Sequence, residues 1–171
     1  MRANEGGLKA ALTLPGNQDL TLNGAVSGAA GLVKNGNAGL TLNGNNTYGG
    51  GTTVNGGSLT VGSNTALGTG DLTINGASLQ SGAAVTLANN VSVGANGLTV
   101  PGAQALGING RLSGSGGLLT PGSGTLNLAG PPAGLTGGLP VPRRVPDAPN
   151  PDTVGLSLGP RRTARPRRPR D

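Results

Sequence analysis

Phenylalanine, tryptophan, cysteine and histidine are all absent from these 171 residues, and Tyr48 is the whole aromatic content. Each absence excludes something. Without aromatic rings, a core must be filled by Leu, Val, Ile and Ala, which suits a narrow stack of aliphatic side chains better than a broad sandwich or α/β core. Without Cys there are no disulfides, no thiol nucleophile and no thiolate zinc site. Without His, the side chain that most often serves as general base near neutral pH is missing. Charge is also scarce at 11 % of residues. No run approaches the roughly 20 apolar residues of a membrane-spanning helix. The start, Met1 to Gly7, has no apolar segment of the kind a signal peptide needs. On this reading the chain is either cytosolic or an internal piece of something longer.

The net charge of +6 divides unevenly. Residues 1–130 hold Arg2, Lys9, Lys34 and Arg111 against Glu5, Asp19 and Asp71, a net +1. Residues 131–171 hold eight Arg against three Asp, together with ten Pro, and carry net +5. Proline lacks the main-chain donor that a sheet requires. The last segment is therefore expected to be disordered or extended.

What the chain does have is glycine, 35 of them, and a recurring apolar-x-apolar triplet. The triplets begin at Leu12, Leu20, Leu40, Leu59, Leu72, Val85, Val91, Leu98, Leu106 and Leu126. Alternation places the outer two side chains on one face of a strand and the middle one, often Thr, on the other. Seven Asn-Gly pairs, at 23, 35, 43, 55, 75, 96 and 109, punctuate the strands. A unit this small cannot bury its own apolar face and must stack on copies of itself. Spacings near 20 residues match one turn of a three-sided coil, and shorter spacings match successive sides. Asn-Gly between alternating runs is equally a hairpin signal, so an antiparallel meander is the competing arrangement; Asp71 to Gln80 reads as a hairpin by that rule. Helix is not expected anywhere, because Gly, Asn and β-branched residues interrupt every candidate period. In the coil, Leu40, Leu42, Leu59, Val61, Leu72 and Ile74 point inward, Thr41, Thr60 and Thr73 face water, and corner Asn side chains form ladders.

The stretch from Gly39 to Gly62 carries Asn46-Thr47-Tyr48, then Gly50-Gly51-Thr52-Thr53-Val54, then Gly57-Ser58-Leu59-Thr60-Val61-Gly62. In that order these resemble the passenger-associated repeat of bacterial autotransporters, with weaker copies over roughly residues 8–130. The resemblance implies an all-β chain, a right-handed parallel β-helix (solenoid), displayed at the cell surface and carried out by a C-terminal outer-membrane β-barrel that this sequence does not contain. The expected division is a ragged N-terminus at 1–7, the parallel β-helix at 8–130 and a disordered Pro/Arg-rich tail at 131–171. About six turns at about 4.8 Å each would make a rod of roughly 30 Å. Gly117 to Gly130 parallels Gly31 to Gly44, yet Pro131-Pro132-Ala133-Gly134-Leu135 follows where the repeat requires Asn-Thr-Tyr. An out-of-frame tail is one explanation of that break.

Chemistry has little to stand on. Glu5, Asp19 and Asp71 are far apart in sequence, which disfavours a paired-carboxylate site. Lys9 and Lys34 are the only candidate bases for a serine nucleophile and read as surface lysines. Gly68-Thr69-Gly70-Asp71 is similar to a calcium-binding β-helix repeat but occurs once, so Asp71 reads as a corner residue. Tyr48 reads as a packing or corner residue. Arg161, Arg162, Arg165, Arg167, Arg168 and Arg170 form a basic cluster able to attract phosphates, without the aromatics a base-stacking platform needs. No catalytic, cofactor-binding or metal-binding residue is assigned and no cofactor is expected. The reading is a non-catalytic, structural or adhesive passenger fragment whose partners are molecules on host or neighbouring cells. Its alternatives are a truncated or frameshifted, non-functional product, and an intracellular phosphate or nucleic-acid binder acting through the Arg-rich tail.

Overall fold

The computed structural model describes residues 7–131 and 134–138. All fifteen strands are two to five residues long, and no helix occurs among the described residues. The strands fall on three sides of a coil. One six-stranded sheet holds β1 (Leu12–Leu14), β3 (Leu32–Lys34), β5 (Thr52–Val54), β7 (Leu72–Ile74), β10 (Val91–Val93) and β13 (Leu112–Gly114). The second holds β2 (Leu20–Leu22), β4 (Gly39–Leu42), β6 (Ser58–Val61), β8 (Ala77–Ser81), β11 (Leu98–Thr99) and β14 (Leu118–Leu119). The third side is regular only in its later half, with β9 (Val85–Leu87), β12 (Leu106–Ile108) and β15 (Leu126–Leu128).

Every strand pairing is parallel, and no strand pairs with its neighbour in sequence. The meander is thereby excluded, and the protein is a parallel β-solenoid of about six turns. Asp71 to Gln80 is no hairpin, because β7 pairs with β5 and β10 while β8 pairs with β6 and β11. Asn-Gly serves here as a corner. Gly36, Gly76 and Gly97 take the left-handed conformation at φ 79°, 76° and 81°, which a hairpin and a coil corner both demand.

All ten triplets form strands. Leu40, Leu42, Leu59, Val61, Leu72 and Ile74 point inward and are at most 1 % exposed. They stack in register: Leu20 on Leu40 on Leu59 on Leu79, and Leu72 on Val91 on Leu112. Between β8 and β11 the pairing slips by two residues, so that Leu98 lies on Ala77 rather than Leu79. A slip of two keeps every side chain on its own face, whereas a slip of one would have inverted the strand.

The coil also runs past the boundary expected at Gly130. Leu135 bridges Gly114 in parallel, and Leu118 N–H donates to the Gly138 carbonyl at 3.2 Å. Leu135 packs against the core. Pro131 therefore does not end the coil, because a proline between strands removes no ladder donor. The remainder of the expected disordered tail, and residues 1–6 of the ragged start, lie outside the described residues.

Candidate functional site

The polar groups of the coil lie in two places, a buried track and the outer columns. The buried track begins where aliphatic stacking is interrupted. Lys34 occupies an inward position of β3, in register between Leu14 and Val54, and is 2 % exposed. Its Nζ donates to the carbonyls of Gly36 at 3.0 Å and Gly56 at 3.1 Å, at the corner of two consecutive turns. Burial lowers its pKa, and the Asp19 carboxylate partly offsets this. The expectation of a surface lysine is overturned: an inward β position is set by register, and Lys34 follows it by snorkelling to a corner.

Tyr48 is fully buried on the third side, where its Oη lies 2.6 Å from Thr52 Oγ1. Burial raises the phenol pKa and the Thr52 hydrogen bond opposes the rise. The expected packing and corner role is the one observed. Asn46 accepts from the Val26 N–H at 2.7 Å and donates to the Ala66 carbonyl at 2.5 Å, joining three turns. Asn89 donates to the carbonyls of Gly68 and Gly70. Among the described residues no buried side-chain polar atom lacks a partner, so this track holds itself together and offers no group to a ligand.

The outer columns are the accessible chemistry. Thr53, Thr73, Ser92 and Ser113 follow one another on the first sheet, and Thr21, Thr41, Thr60 and Gln80 on the second. Neighbours are one strand spacing apart, about 4.8 Å. At the corners Asn43 donates to Asn23 and Asn55 to Asn35, each at 2.8 Å, which bears out the expected amide ladders. The carboxylates are kept apart by their structural partners. Asp19 accepts from the Gly39 N–H at 2.6 Å, and Asp71 accepts from Asn90 Nδ2 at 2.9 Å. Asp71 is thus the corner residue expected. Among the described residues no three His, Cys, Asp or Glu side chains cluster as metal ligands. Lys9 is exposed. Glu5 and the arginine cluster of residues 161–170 lie outside the described residues.

Sequence reasoning missed five strands: β3, β5, β8, β13 and β14. Each lacks a clean triplet because Lys34, Thr52, Ser81 or Gly114 fills an inward place, or because the strand has only two residues. The signal available for four of them was the 20-residue interval from a recognised neighbour. A shallow groove of about 370 Å³ also lies beside β11 and β14, lined by Leu98, Thr99, Leu118, Leu119, Gly137 and Gly138 among others. It carries no titratable side chain, and Leu119 at its rim is 49 % exposed.

In comparison with protein families, residues 32–61 match the family model of the passenger-associated-transport-repeat. That repeat runs from the start of β3 to the end of β6, one and a half turns of the coil, with the Tyr48–Thr52 pair at its centre. The resemblance read from Gly39 onward is therefore correct, and the repeat reaches back to include β3 and its inward Lys34. No curated protein and no solved structure matches the chain. The repeat and the solenoid together fit an autotransporter passenger.

Proposed function

We propose that this chain is a length of a bacterial autotransporter passenger that works at the cell surface as a non-catalytic, adhesive rod. The observation that carries the reading is the passenger-associated-transport-repeat at residues 32–61, folded as consecutive turns of a coil rather than as an isolated hairpin. The coil contributes length and a surface of regularly spaced hydroxyls and amides. Each such group forms a weak, replaceable hydrogen bond, and a row of them binds through many simultaneous contacts. That suits carbohydrate or protein surfaces on host or neighbouring cells better than a small-molecule substrate.

Surface labelling of intact cells tests the proposal. An antibody to the coil, or protease shaving followed by recovery of coil peptides, is expected to report the protein outside the cell. Deletion of the coil is expected to reduce attachment or cell settling. A protein found only in the cytosol would overturn it.

A further inference from the structure

Seven Asn-Gly pairs turn corners of the coil, and six of them are held. Asn43 Nδ2 donates to Asn23 Oδ1, and Asn55 Nδ2 donates to Asn35 Oδ1. Asn75 Oδ1 accepts from the Asn96 N–H at 3.3 Å. The Gly76 N–H donates to the Gly97 carbonyl and the Gly97 N–H to the Gly94 carbonyl, each at 2.9 Å. Asn109-Gly110 differs. Asn109 is exposed, and among the described residues neither its side-chain amide nor the Gly110 N–H makes a hydrogen bond. The register explains why. Ile108 pairs with Leu87 on one side and Leu128 on the other, so Asn109 follows between Ala88 and Ala129. An alanine side chain has no group with which to join an amide ladder. The main chain is restrained as at the other corners. The Asn109 N–H donates to the Leu87 carbonyl at 2.8 Å, and Asn35, Asn43, Asn55 and Asn75 donate to the preceding turn in the same way at 2.9 Å. These five corners therefore differ in their side chains.

We propose that Asn109 is a site of spontaneous covalent modification, at which the Gly110 nitrogen closes on the Asn109 side chain and converts the amide to an acid. The Gly110 nitrogen gives its proton to hydroxide and bonds to Asn109 Cγ. The Cγ–Nδ2 bond breaks and ammonia leaves. Water then adds across one C–N bond of the five-membered imide and opens it to aspartate or isoaspartate. One water is consumed and one ammonia released, with no oxidant or cofactor. A following glycine has no side chain to hinder the attacking nitrogen, and all seven pairs share it, so sequence alone makes them alike. Structure separates them. Ring closure needs the amide carbon to swing towards the next main-chain nitrogen, so an amide held by another amide must first let go. A hydrogen bond that has to break slows such a step by about two- to tenfold. Asn109 and Gly110 have none to break. Either product places a carboxylate two residues before Arg111, and isoaspartate also adds one carbon to the main chain between β12 and β13.

Incubation of the full chain in mildly alkaline buffer tests this, with peptide mass spectrometry to locate each new acid and isoaspartyl methyltransferase labelling to identify isoaspartate. The same incubation in urea gives the rate of each pair in the unfolded chain. Similar rates at all seven pairs are expected in urea. In the folded chain Asn109 is expected to react first, about two- to tenfold faster than Asn35, Asn43, Asn55 or Asn75. Ala88→Asn supplies an amide in the preceding turn and is expected to slow Asn109 to the rate of the ladder corners. Asn23→Ala removes the acceptor of Asn43 and is expected to raise the rate at Asn43 towards that at Asn109. Both substitutions fall on exposed side chains, and the circular dichroism of both variants is expected to match wild type. Equal rates at all pairs of the folded chain overturn the proposal, as does a ladder corner that reacts before Asn109. So does an Asn109 that stays intact in the folded chain while all seven pairs react in urea, or one whose rate Ala88→Asn leaves unchanged.

Discussion

Tyr48 and Thr52 offer a direct test of how the coil tolerates polar groups in an aliphatic interior. Their hydroxyls meet at 2.6 Å, with Tyr48 at 0 % and Thr52 at 1 % exposure. Tyr48→Phe keeps the ring and its packing but leaves the Thr52 hydroxyl buried without that partner. Thr52→Val keeps the shape and strands the phenol. A buried hydroxyl that loses its partner costs about 1–3 kcal/mol, whereas replacing both partners with apolar groups of the same shape is nearly neutral. Each single variant should therefore lose about 1–3 kcal/mol, and the double variant should unfold close to wild type. Neither exposure figure leaves room for water to substitute for the missing group, so the cost should appear in full. Thermal and urea unfolding followed by far-ultraviolet circular dichroism gives the four corners of the cycle, with an expected coupling equal to the sum of the two single losses, about 2–6 kcal/mol. Additive losses in the double variant would refute the reasoning, because the two hydroxyls would then be satisfied independently. The same pair predicts that tyrosinate absorbance in the wild-type chain appears above the ordinary phenol pKa of 10.0, and a titration at or below that value would mean that Tyr48 is solvated.

Three further outcomes follow from named contacts. Lys34→Met should raise stability at neutral pH, because it removes an ammonium held in the coil against its desolvation; a lower melting temperature would count against this. The Lys34 pKa is lowered on folding, so its contribution is lost as pH falls through the folded value, and stability should rise with pH up to about its ordinary 10.5. Tyr48, whose pKa is raised, acts in the opposite sense above 10.0, and in Lys34→Met only that alkaline loss should remain in a pH series of denaturation curves. Leu59→Ala, in the middle of its column at 0 % exposure, should cost about 2–5 kcal/mol, and Leu20→Ala, in the same column where it is only half-buried, less than half as much; equal losses would mean that the first turn is as well buried as the third. Gly110→Ala should be severely destabilising because its Cβ would strike the Asn89 carbonyl of the turn above, while Gly24→Ala meets nothing within 4 Å and should be tolerated; melting temperatures of the two variants decide it.

Alternation and small-residue punctuation were enough to place ten of the strands and to say which side chains enter the core. This is because the period-2 rule is local: Leu59-Thr60-Val61 has one inward face whatever lies beside it. The one motif with high specificity, Asn46 to Val61, was legible for the same reason. The direction of pairing was not. Asn35-Gly36 and Asn75-Gly76 satisfy a hairpin and a corner equally well, since both need a residue that accepts positive φ. Only the rung some 20 residues away, with its column of leucines, makes the parallel stack the lower free-energy choice. The same long-range register drew Lys34 inward, made a strand of Thr52–Val54, and carried Leu135 onto the end of the first sheet. A single residue's neighbours in sequence carry no trace of those decisions, because in a solenoid the contacts that bury a side chain come from the turns above and below.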